Sequence, residues 1–327
     1  MKLRQLGAHG PMVSALGLGC LSFGGIFGPT DTAESLSCLD AAWAHGITFL
    51  DVANVYGSGV SESVIGQWLA TRPHRPVIAT KAGIVQGAQR GVNNDPDYLR
   101  AELEGSLKRL GVERVDLFYL HRHEPNRPIE DIAGLMSDLV AEGKIGGYGL
   151  SEVAPYTLRR AHAVHPVTAV QNEYSLWTRQ PELGLIQTCA ELGVAFVPFS
   201  PLARGVFGKP MLDPDHHDLG PFRVQIPRFW PENWPRNKER LIAFQTLAAD
   251  LGHHPSALAL AWVLQRGPHI IPIPGTRTAK NLAAWAGASD LTLSQGDLAA
   301  IDVTLPVGWA FGDRYNDAMA ASVERYS

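Results

Sequence analysis

Four residues with chemically reactive side chains, Asp51, Tyr56, Lys81 and His121, occur close to short apolar runs. A tyrosine has an ordinary pKa of about 10 and is a poor acid near neutral pH. A lysine ammonium beside the phenol favours the phenolate and lowers that pKa, and a carboxylate keeps the lysine charged and oriented. A histidine beside them can hydrogen-bond to a substrate oxygen. We therefore predict that this group protonates a carbonyl oxygen while a cofactor delivers hydride to the carbon.

Three of these residues, Asp51, Lys81 and His121, come directly after apolar runs typical of buried strands. In a closed barrel of parallel strands, the active site lies at the carboxyl ends of the strands. Polar or small residues occupy the equivalent positions after the other runs, namely Ser151, Gln171, Asn172, Ser200, Gly275 and Thr276. Because the strand interiors are nearly all apolar, this contrast predicts a site on one face of a barrel.

The elements that must position this group form a regular alternation of strands and helices. Eight apolar runs, separated by amphipathic helical segments, cover residues 16–18, 47–50, 77–80, 115–120, 147–150, 168–170, 194–199 and 270–274. Short apolar runs are typical of parallel strands covered by helices on both faces. Eight such units favour an α/β fold of the (β/α)₈ TIM-barrel type, in one domain over residues 1–327, rather than an open doubly wound sheet.

The longest segment without a helical or strand pattern follows predicted strand 7 and covers residues 201–236. Such long loops in compact domains are usually either functional or disordered. We predict that this segment, rich in Pro, His and Trp, closes over a bound cofactor; a disordered insertion is the alternative. Helices are predicted over residues 241–251 and 255–264, and an extra helix over residues 294–305 precedes the carboxyl-terminal tail.

Composition excludes several other classes of protein. The net charge of −4 and the pI near 6.3 give no basic footprint for nucleic acid. No apolar run approaches the roughly 18 residues of a membrane span, and no secretory leader pattern is present. Three cysteines, Cys20, Cys38 and Cys189, show no C-x-x-C spacing and indicate a reducing compartment. We expect a cytoplasmic protein.

The usual nucleotide-binding motifs do not occur in the sequence. The nearest approach to G-x-G-x-x-G, around Gly17 and Gly19, has Ser22 in place of the third glycine. The stretch from Gly205 to Lys209 lacks the spacing of a phosphate-binding P-loop. These observations argue against a Rossmann dehydrogenase but not against a barrel that binds its cofactor across the strand ends.

Ten short motifs, in order and at matching spacing, make the chain resemble the aldo-keto reductase superfamily over roughly residues 6–315. They are LGLG (16–19), FLDVANVYG (49–57), SE (61–62), ATKAG (79–83), SLKRLG (106–111), DLFYLHR (116–122), GLS (149–151), QNEYS (171–175), PFSPL (198–202) and PGTR (274–277). The resemblance implies an enzyme that reduces an aldehyde or ketone with NADPH or NADH and without a metal. Sugars and aromatic aldehydes are equally compatible substrates.

The resemblance also implies roles for single residues. It assigns Asp51, Tyr56, Lys81 and His121 to a catalytic tetrad. For the nicotinamide, it implies carboxamide contacts from Ser151 and Gln171 and ring stacking by Phe199. For the rest of the cofactor, the implied contacts are Ser200, Leu202 and Gly205 at the pyrophosphate and Gly275, Thr276, Arg277 and Asn281 at the adenosine phosphate end. Arg277 would select NADPH over NADH. The predicted substrate pocket includes Phe23, Glu152 and Trp230.

Three positions depart from the family pattern. Glu152 stands where many members carry Asn, and Asn281 stands where an Arg or His often approaches the adenine. The pair Ala284-Trp285 replaces a Glu-Asn pair that commonly contacts the same ring. These differences leave the tetrad unaffected and change the expected adenine contacts.

Two alternative functions stay open at this stage. The superfamily includes regulatory subunits that bind the cofactor without catalysis. A metal-dependent hydrolase barrel is the second alternative, because His121 and His123 form an H-x-H motif at a predicted strand end. Such a site requires further His or carboxylate ligands around one metal ion.

Overall fold

The structure is a computed structural model that describes residues 1–87 and 91–326. Its strands within these ranges are β1 (Leu3–Gln5), β2 (Met12–Ser14), β3 (Leu18–Gly19), β4 (Phe49–Asp51), β5 (Val77–Ala82), β6 (Ile84–Val85), β7 (Gly91–Val92), β8 (Leu117–Leu120), β9 (Tyr148–Ser151), β10 (Ala169–Gln171) and β11 (Ala195–Phe196). Seven of them form one parallel sheet in the order β11-β10-β9-β8-β5-β4-β3. The pairs β1–β2 and β6–β7 are antiparallel hairpins outside this sheet.

Residues 270–275, which we call the closing segment, join the two edges of the sheet. Ile271 donates to the Phe196 carbonyl oxygen of β11 at 2.8 Å, and Ile273 donates to the Pro198 carbonyl oxygen just beyond β11 at 3.0 Å. On the other side, Gly17 and Gly19 donate to the closing segment at 3.0 Å each. The predicted eighth strand therefore closes a (β/α)₈ barrel, although it forms only isolated bridges. Its alternate residues are prolines, which have no N–H to donate to β3.

The helices lie between the strands as the sequence predicts. They are α1 (Thr32–Ala44), α2 (Val60–Thr71), α3 (Pro96–Leu110), α4 (Ile129–Ala141), α5 (Pro155–Val164), α6 (Leu185–Leu192), α7 (Gly220–Arg223), α8 (Trp234–Asp250), α9 (Pro255–Leu264), α10 (Ala279–Ala283), α11 (Gln295–Thr304) and α12 (Asp317–Ala320). Asp31 caps α1 by accepting the Glu34 N–H, and Ser294 caps α11 in a capping box. No helix in the described ranges is long and apolar enough to cross a membrane.

The segment 201–236 is more ordered than the sequence predicts. It contains α7 and two single-turn 3₁₀ helices, Ala203–Gly205 and Pro227–Phe229. Its last three residues already belong to α8, so the prediction of a helix starting at residue 241 was wrong at its amino end. Pro235 lies in the first turn of α8, where no backbone N–H is required.

Apolar side chains fill the barrel interior up to a point just before the carboxyl ends of the strands. Side chains from several strands and from the closing segment meet in one buried cluster, which includes Phe49, Leu117, Tyr119, Val197 and Ile271. Leu6 and Val13 join this cluster from the β1–β2 hairpin and cover the amino end. A second, larger cluster fills the space between strands and helices. The open carboxyl end is where polar side chains collect.

Candidate active site

Neighbouring strands bring the four predicted catalytic residues together. Asp51 ends β4, Lys81 lies near the end of β5, and His121 directly follows β8. These three strands are adjacent in the sheet, and Lys81 is opposite Tyr119 in the β5–β8 register. Tyr56 comes from the loop between β4 and α2. Adjacent strand ends therefore explain how residues far apart in sequence share one site.

Lys81 is the centre of this group. Its side chain is fully buried and forms an ion pair with Asp51. The ammonium also donates to the Val52 carbonyl oxygen at 2.8 Å and to the Tyr56 hydroxyl at 3.4 Å. Burial would lower the pKa of Lys81, but the neighbouring Asp51 and Tyr56 outweigh it, so the pKa is raised. Lys81 is therefore a fixed cation that points at the phenol.

The pKa of Tyr56 is shifted in the direction opposite to our expectation. Burial raises it above the ordinary value, and Asp51 adds to the increase. Lys81 acts in the expected direction by lowering the pKa, but its attraction for the phenolate does not offset the desolvation. The phenol is consequently protonated at neutral pH. Lys81 remains placed to stabilise the phenolate once the proton leaves.

His121 lies against Tyr56, with ring centroids 5.9 Å apart and planes at 77°. Burial, together with the charges of Arg122 and Lys81, holds the pKa of His121 well below its usual range. The imidazole is therefore neutral and carries one N–H. Its buried Nδ1 has no hydrogen-bond partner within the described residues. An unsatisfied buried nitrogen beside the phenol fits a site that is completed by a ligand.

The two predicted carboxamide ligands lie on the next strands. Gln171, which ends β10, donates from Nε2 to Asp51 at 2.7 Å and so belongs to the same network as Lys81. Ser151, which ends β9, accepts a hydrogen bond at 3.1 Å from Arg122. Arg122 also donates to the His121 carbonyl oxygen at 2.6 Å. The role of Arg122 was not predicted from the sequence, although its position next to His121 at a strand end was a usable signal.

The predicted pyrophosphate path has an unusual backbone. Ser200, Ala203 and Arg204 are non-glycine residues with positive φ angles of 49°, 48° and 60°. Such conformations cost free energy and occur most often at functional sites. Gly205 also has a positive φ, and Phe199 and Leu202 are half-buried in the same turn. The strain lies where the sequence predicts close contact between backbone and cofactor.

The predicted adenosine phosphate end follows the closing segment. Gly275 is exposed, Thr276 is buried, and the exposed Asn281 donates its backbone N–H to the Thr278 hydroxyl. Arg277 donates to the Pro29 carbonyl oxygen at 3.0 Å. The helix that follows, α10, has only five residues. So short a helix has a small dipole, and its amino terminus would contribute little to binding a phosphate.

The three residues predicted to contact substrate are in different environments. Phe23 is buried in a single-turn helix after β3. Glu152 is buried directly after β9 and forms an ion pair with Arg314 of the carboxyl-terminal tail. Trp230 is partly exposed and donates from Nε1 to the Val224 carbonyl oxygen at 3.0 Å. Glu152 is therefore already paired within the chain.

The H-x-H motif is divided between two surroundings. His121 faces Tyr56, whereas His123 hydrogen-bonds to Glu324 and to the Arg127 carbonyl oxygen. Among residues 1–87 and 91–326, no three His, Cys, Asp or Glu side chains are grouped so that they could hold a metal ion. The ligand set that a metal-dependent hydrolase requires is therefore not assembled in the described parts of the chain.

Comparisons with known proteins agree with this arrangement. The family model described as "Aldo/keto reductase family" matches residues 15–305. The chain is 42% identical over 325 residues to a protein from Glycine max named "Probable aldo-keto reductase 1", with 96% of this chain and 92% of that protein covered. A glycerol dehydrogenase from Gluconobacter oxydans has a similar structure, with a TM-score of 0.84, 26% identity and coverage of 93% and 94% of the two chains. The chain belongs to the aldo/keto reductase family, whose members are oxidoreductases of carbonyl compounds that use nicotinamide cofactors.

Proposed function

We propose that this enzyme reduces an aldehyde or ketone to the alcohol with NADPH and that Tyr56 is the proton donor. The observation that carries the proposal is the buried Lys81 ammonium, which is ion-paired with Asp51 and 3.4 Å from the Tyr56 hydroxyl. A fixed cation next to a protonated phenol is suited to general acid catalysis, because it stabilises the phenolate that forms as the proton leaves.

The chemistry divides simply among the participants. The nicotinamide cofactor, when bound, supplies the hydride that adds to the carbonyl carbon. Tyr56 gives its phenolic proton to the carbonyl oxygen, and Lys81 balances the negative charge left on the phenol. The neutral His121 offers one N–H to the same oxygen and orients the substrate. Asp51 keeps Lys81 charged and in place.

The surroundings of Ser151 and Gln171 support carboxamide binding. Because Ser151 accepts from Arg122, its own hydroxyl proton is free to donate to a carboxamide oxygen. Because Gln171 donates from Nε2 to Asp51, its carbonyl oxygen is the atom left to accept from the carboxamide NH₂. The two residues thus present one donor and one acceptor, which match the two ends of a carboxamide. Phe199 would stack on the ring.

Two arginines support a preference for NADPH. Burial lowers the pKa of Arg223 to about 10, and the positive charge of the nearby Arg277 adds to the decrease. Neither forms an ion pair with a carboxylate of the described residues. A phosphate placed between such cations accepts strong charge-assisted hydrogen bonds. The 2′-phosphate of NADPH would satisfy both, with Thr276 and Thr278 adding hydroxyl groups.

The segment 201–236 would hold the bound cofactor in place. Phe27, from the loop after β3, packs edge-on against Phe222 with ring centroids 5.8 Å apart. The guanidinium of Arg223 lies 4.5 Å from the centroid of the same Phe27 ring. These contacts join the loop after β3 to the segment 201–236. The cytoplasm is the proposed location, supported by Cys20, Cys38 and Cys189, which are all buried free thiols.

The experiment that tests this function is a spectrophotometric screen of aldehydes, ketones and sugars with NADPH and with NADH. For any substrate found, Tyr56→Phe should lower turnover by about 10²–10⁴-fold or more, because general acid–base catalysis usually contributes a factor of that size. Tyr119→Phe is the matched control. It removes another buried hydroxyl, which has no hydrogen-bond partner in the described residues. The Lys81 ammonium nitrogen lies 5.7 Å from the centroid of the Tyr119 ring.

Two outcomes would contradict the proposal. A Tyr56→Phe variant that keeps a tenth or more of wild-type turnover would remove Tyr56 as proton donor. Tight binding of NADPH without turnover of any carbonyl compound would favour the second candidate, a regulatory protein that binds the cofactor without catalysis. The complete network around Lys81 favours the enzyme, because a protein that only binds the cofactor has no need of a buried ion pair at the phenol.

A further inference from the structure

A second group of charged side chains, all buried except that of Arg314, which is 15% exposed, lies outside the catalytic network. It consists of Glu152, Glu173, Arg204, Arg228 and Arg314, at the carboxyl ends of β9 and β10 and in the segments that cover them. Glu152 pairs with Arg314, and Glu173 accepts from Arg204 at 2.7 Å and from Arg314 at 3.4 Å. Each carboxylate thus has a guanidinium partner, and one guanidinium remains.

The remaining guanidinium is that of Arg228, whose side chain is 6% exposed. Its Nε donates to the Gly312 carbonyl oxygen at 3.1 Å, and its Nη1 donates to the Thr178 hydroxyl at 2.7 Å. Thr178 in turn donates to Glu173 at 2.9 Å. Both partners of Arg228 are neutral, and no carboxylate of residues 1–87 and 91–326 is in ion-pair distance. Its Nη2 group has no hydrogen-bond partner in the same residues.

The charge of Arg228 is therefore not balanced locally. Three guanidinium groups, two buried and one partly exposed, face two buried carboxylates, which leaves one positive charge in excess. The pKa of Arg228 is lowered to about 9 by burial and by repulsion from Arg204 and Arg314, although Glu173 opposes the shift. The carboxylate of Asp313 attracts Arg228, but Asp313 is exposed, so water screens this attraction. A buried charge without a counter-charge is costly and is normally compensated.

A small cavity lies beside the Arg228 guanidinium, whose charge no neighbouring carboxylate balances. It has an empty volume of about 210 Å³, part of which is open to solvent, and is lined by Glu173, Trp177, Arg204, Arg228, Phe229 and Arg314. Both oxygens of Glu173 are already occupied by Thr178, Arg204 and Arg314. The cavity is thus electropositive and has room for a single small ion.

We propose that this cavity binds one monovalent anion of about the size of chloride, held by Arg228 and the neighbouring guanidinium groups. The anion would supply the missing negative charge and accept from the free Nη2 of Arg228. It would also connect three segments of the chain. Thr178 follows β10, Arg204 and Arg228 belong to the segment 201–236, and Arg314 belongs to the tail. Anion binding should therefore fasten that segment and the tail to the barrel.

Bromide is a suitable probe because it resembles chloride, quenches tryptophan fluorescence and scatters X-rays anomalously. The ring of Trp177 lies 5.4 Å from the Arg228 guanidinium carbon. Fluorescence of the full chain should fall with a saturable component as bromide replaces gluconate at constant ionic strength. The melting temperature should rise with chloride in the same series, by about 2 °C at a few times the dissociation constant.

Two variants separate a bound ion from a general effect of salt. Arg228→Met keeps most of the side-chain length without the charge, and it should abolish the saturable quenching and the dependence of the melting temperature on chloride. Arg236→Met is the matched control. It removes an exposed arginine of the same region and should leave both effects unchanged.

Crystals of the wild-type chain grown in bromide provide a test that does not depend on the folding of a variant. The expected result is one anomalous peak in the cavity beside Arg228. Absence of the peak, together with quenching that only rises linearly and equal melting temperatures in chloride and gluconate, would show that the cavity holds water only. That result would overturn the proposal.

Discussion

His123 and Glu324 form a contact that favours the charged form of the histidine. Nδ1 of His123 lies 2.8 Å from Oε1 of Glu324, and Nε2 lies 2.8 Å from the Arg127 carbonyl oxygen. Both oxygens can only accept, since a carboxylate and a carbonyl have no proton to donate. Both ring nitrogens must therefore carry protons, and His123 is an imidazolium. The other Glu324 oxygen accepts the Ala154 N–H at 2.7 Å. A charged histidine thus holds the carboxyl-terminal tail against the strand ends.

This contact makes attachment of the tail depend on pH. Burial would lower the pKa of His123, but Glu324 and the Arg127 carbonyl outweigh it and raise the pKa above 6.5. The stabilisation is therefore complete below about pH 6.5 and is lost as pH rises through the raised pKa. Burial would raise the pKa of Glu324, but His123 and the Ala154 N–H lower it below 4.5. That contribution is lost as pH falls through the lowered value, so the tail is held best between these limits.

Hydrogen exchange measures the effect directly, because the Glu324 N–H donates to the Glu152 carbonyl oxygen at 3.0 Å. We expect its protection factor, corrected for intrinsic exchange rates, to fall between pH 6 and pH 8.5. In His123→Gln, both donors lie on one uncharged nitrogen, which cannot replace the two separate ring nitrogens, so protection should be low and independent of pH. A wild-type protection factor that stays constant over this range would contradict the prediction. Nearby Arg160 keeps its charge throughout and does not contribute to the change.

Removing the Lys81 charge should affect activity and stability separately. Lys81→Met leaves Asp51 buried without its cation, which costs about 3–5 kcal/mol of the free energy of unfolding. The double variant Asp51→Asn, Lys81→Met removes both charges and should recover most of that stability. Neither variant should recover activity, because nothing then stabilises the Tyr56 phenolate. Urea unfolding and steady-state rates measure the two effects, and an active double variant would show that Lys81 acts only in folding.

Arg277→Ala should weaken binding of NADPH and leave NADH nearly unchanged. Hydrogen bonds to charged groups contribute roughly 1.5–3 kcal/mol, which corresponds to about a ten- to hundredfold increase in the NADPH dissociation constant. Tryptophan fluorescence quenching gives both constants. Arg75→Ala, which removes an exposed arginine before β5 at the opposite end of the barrel, is the control. Equal changes for the two cofactors would exclude a contact between Arg277 and the 2′-phosphate.

Cofactor binding should protect the segment 201–236 from proteolysis. Trypsin can cleave after Arg223, which lies at the end of α7 beside Phe27. If the segment must open to release NADPH, cleavage should slow by about a hundredfold when NADPH is present at 100 times its dissociation constant. Sodium gluconate at the same ionic strength should not protect. Equal cleavage rates with and without NADPH would indicate that this segment does not close over the cofactor.

The position of the tetrad could be predicted because it depends on a local rule. Asp51, Lys81 and His121 follow apolar runs, and parallel strands place such positions at one end of the barrel. The partners of Glu152 and His123 could not be predicted in the same way. Arg314 and Glu324 reach them from a tail whose path no periodic pattern specifies. The direction of the Tyr56 pKa shift could not be predicted from the sequence either, because it depends on how completely the folded site excludes water.

The closing segment also constrains the order in which the barrel can form. Its bridge to β3 joins Gly19 to Gly275, two residues that lie far apart in the sequence. Contacts between such distant positions carry a large loop-closure cost and form late. During synthesis, the growing chain exposes one edge of β3 until the last barrel segment has left the ribosome. Until then the incomplete barrel is an open sheet with two free edges, and such edges are the sites at which chains pair wrongly and aggregate.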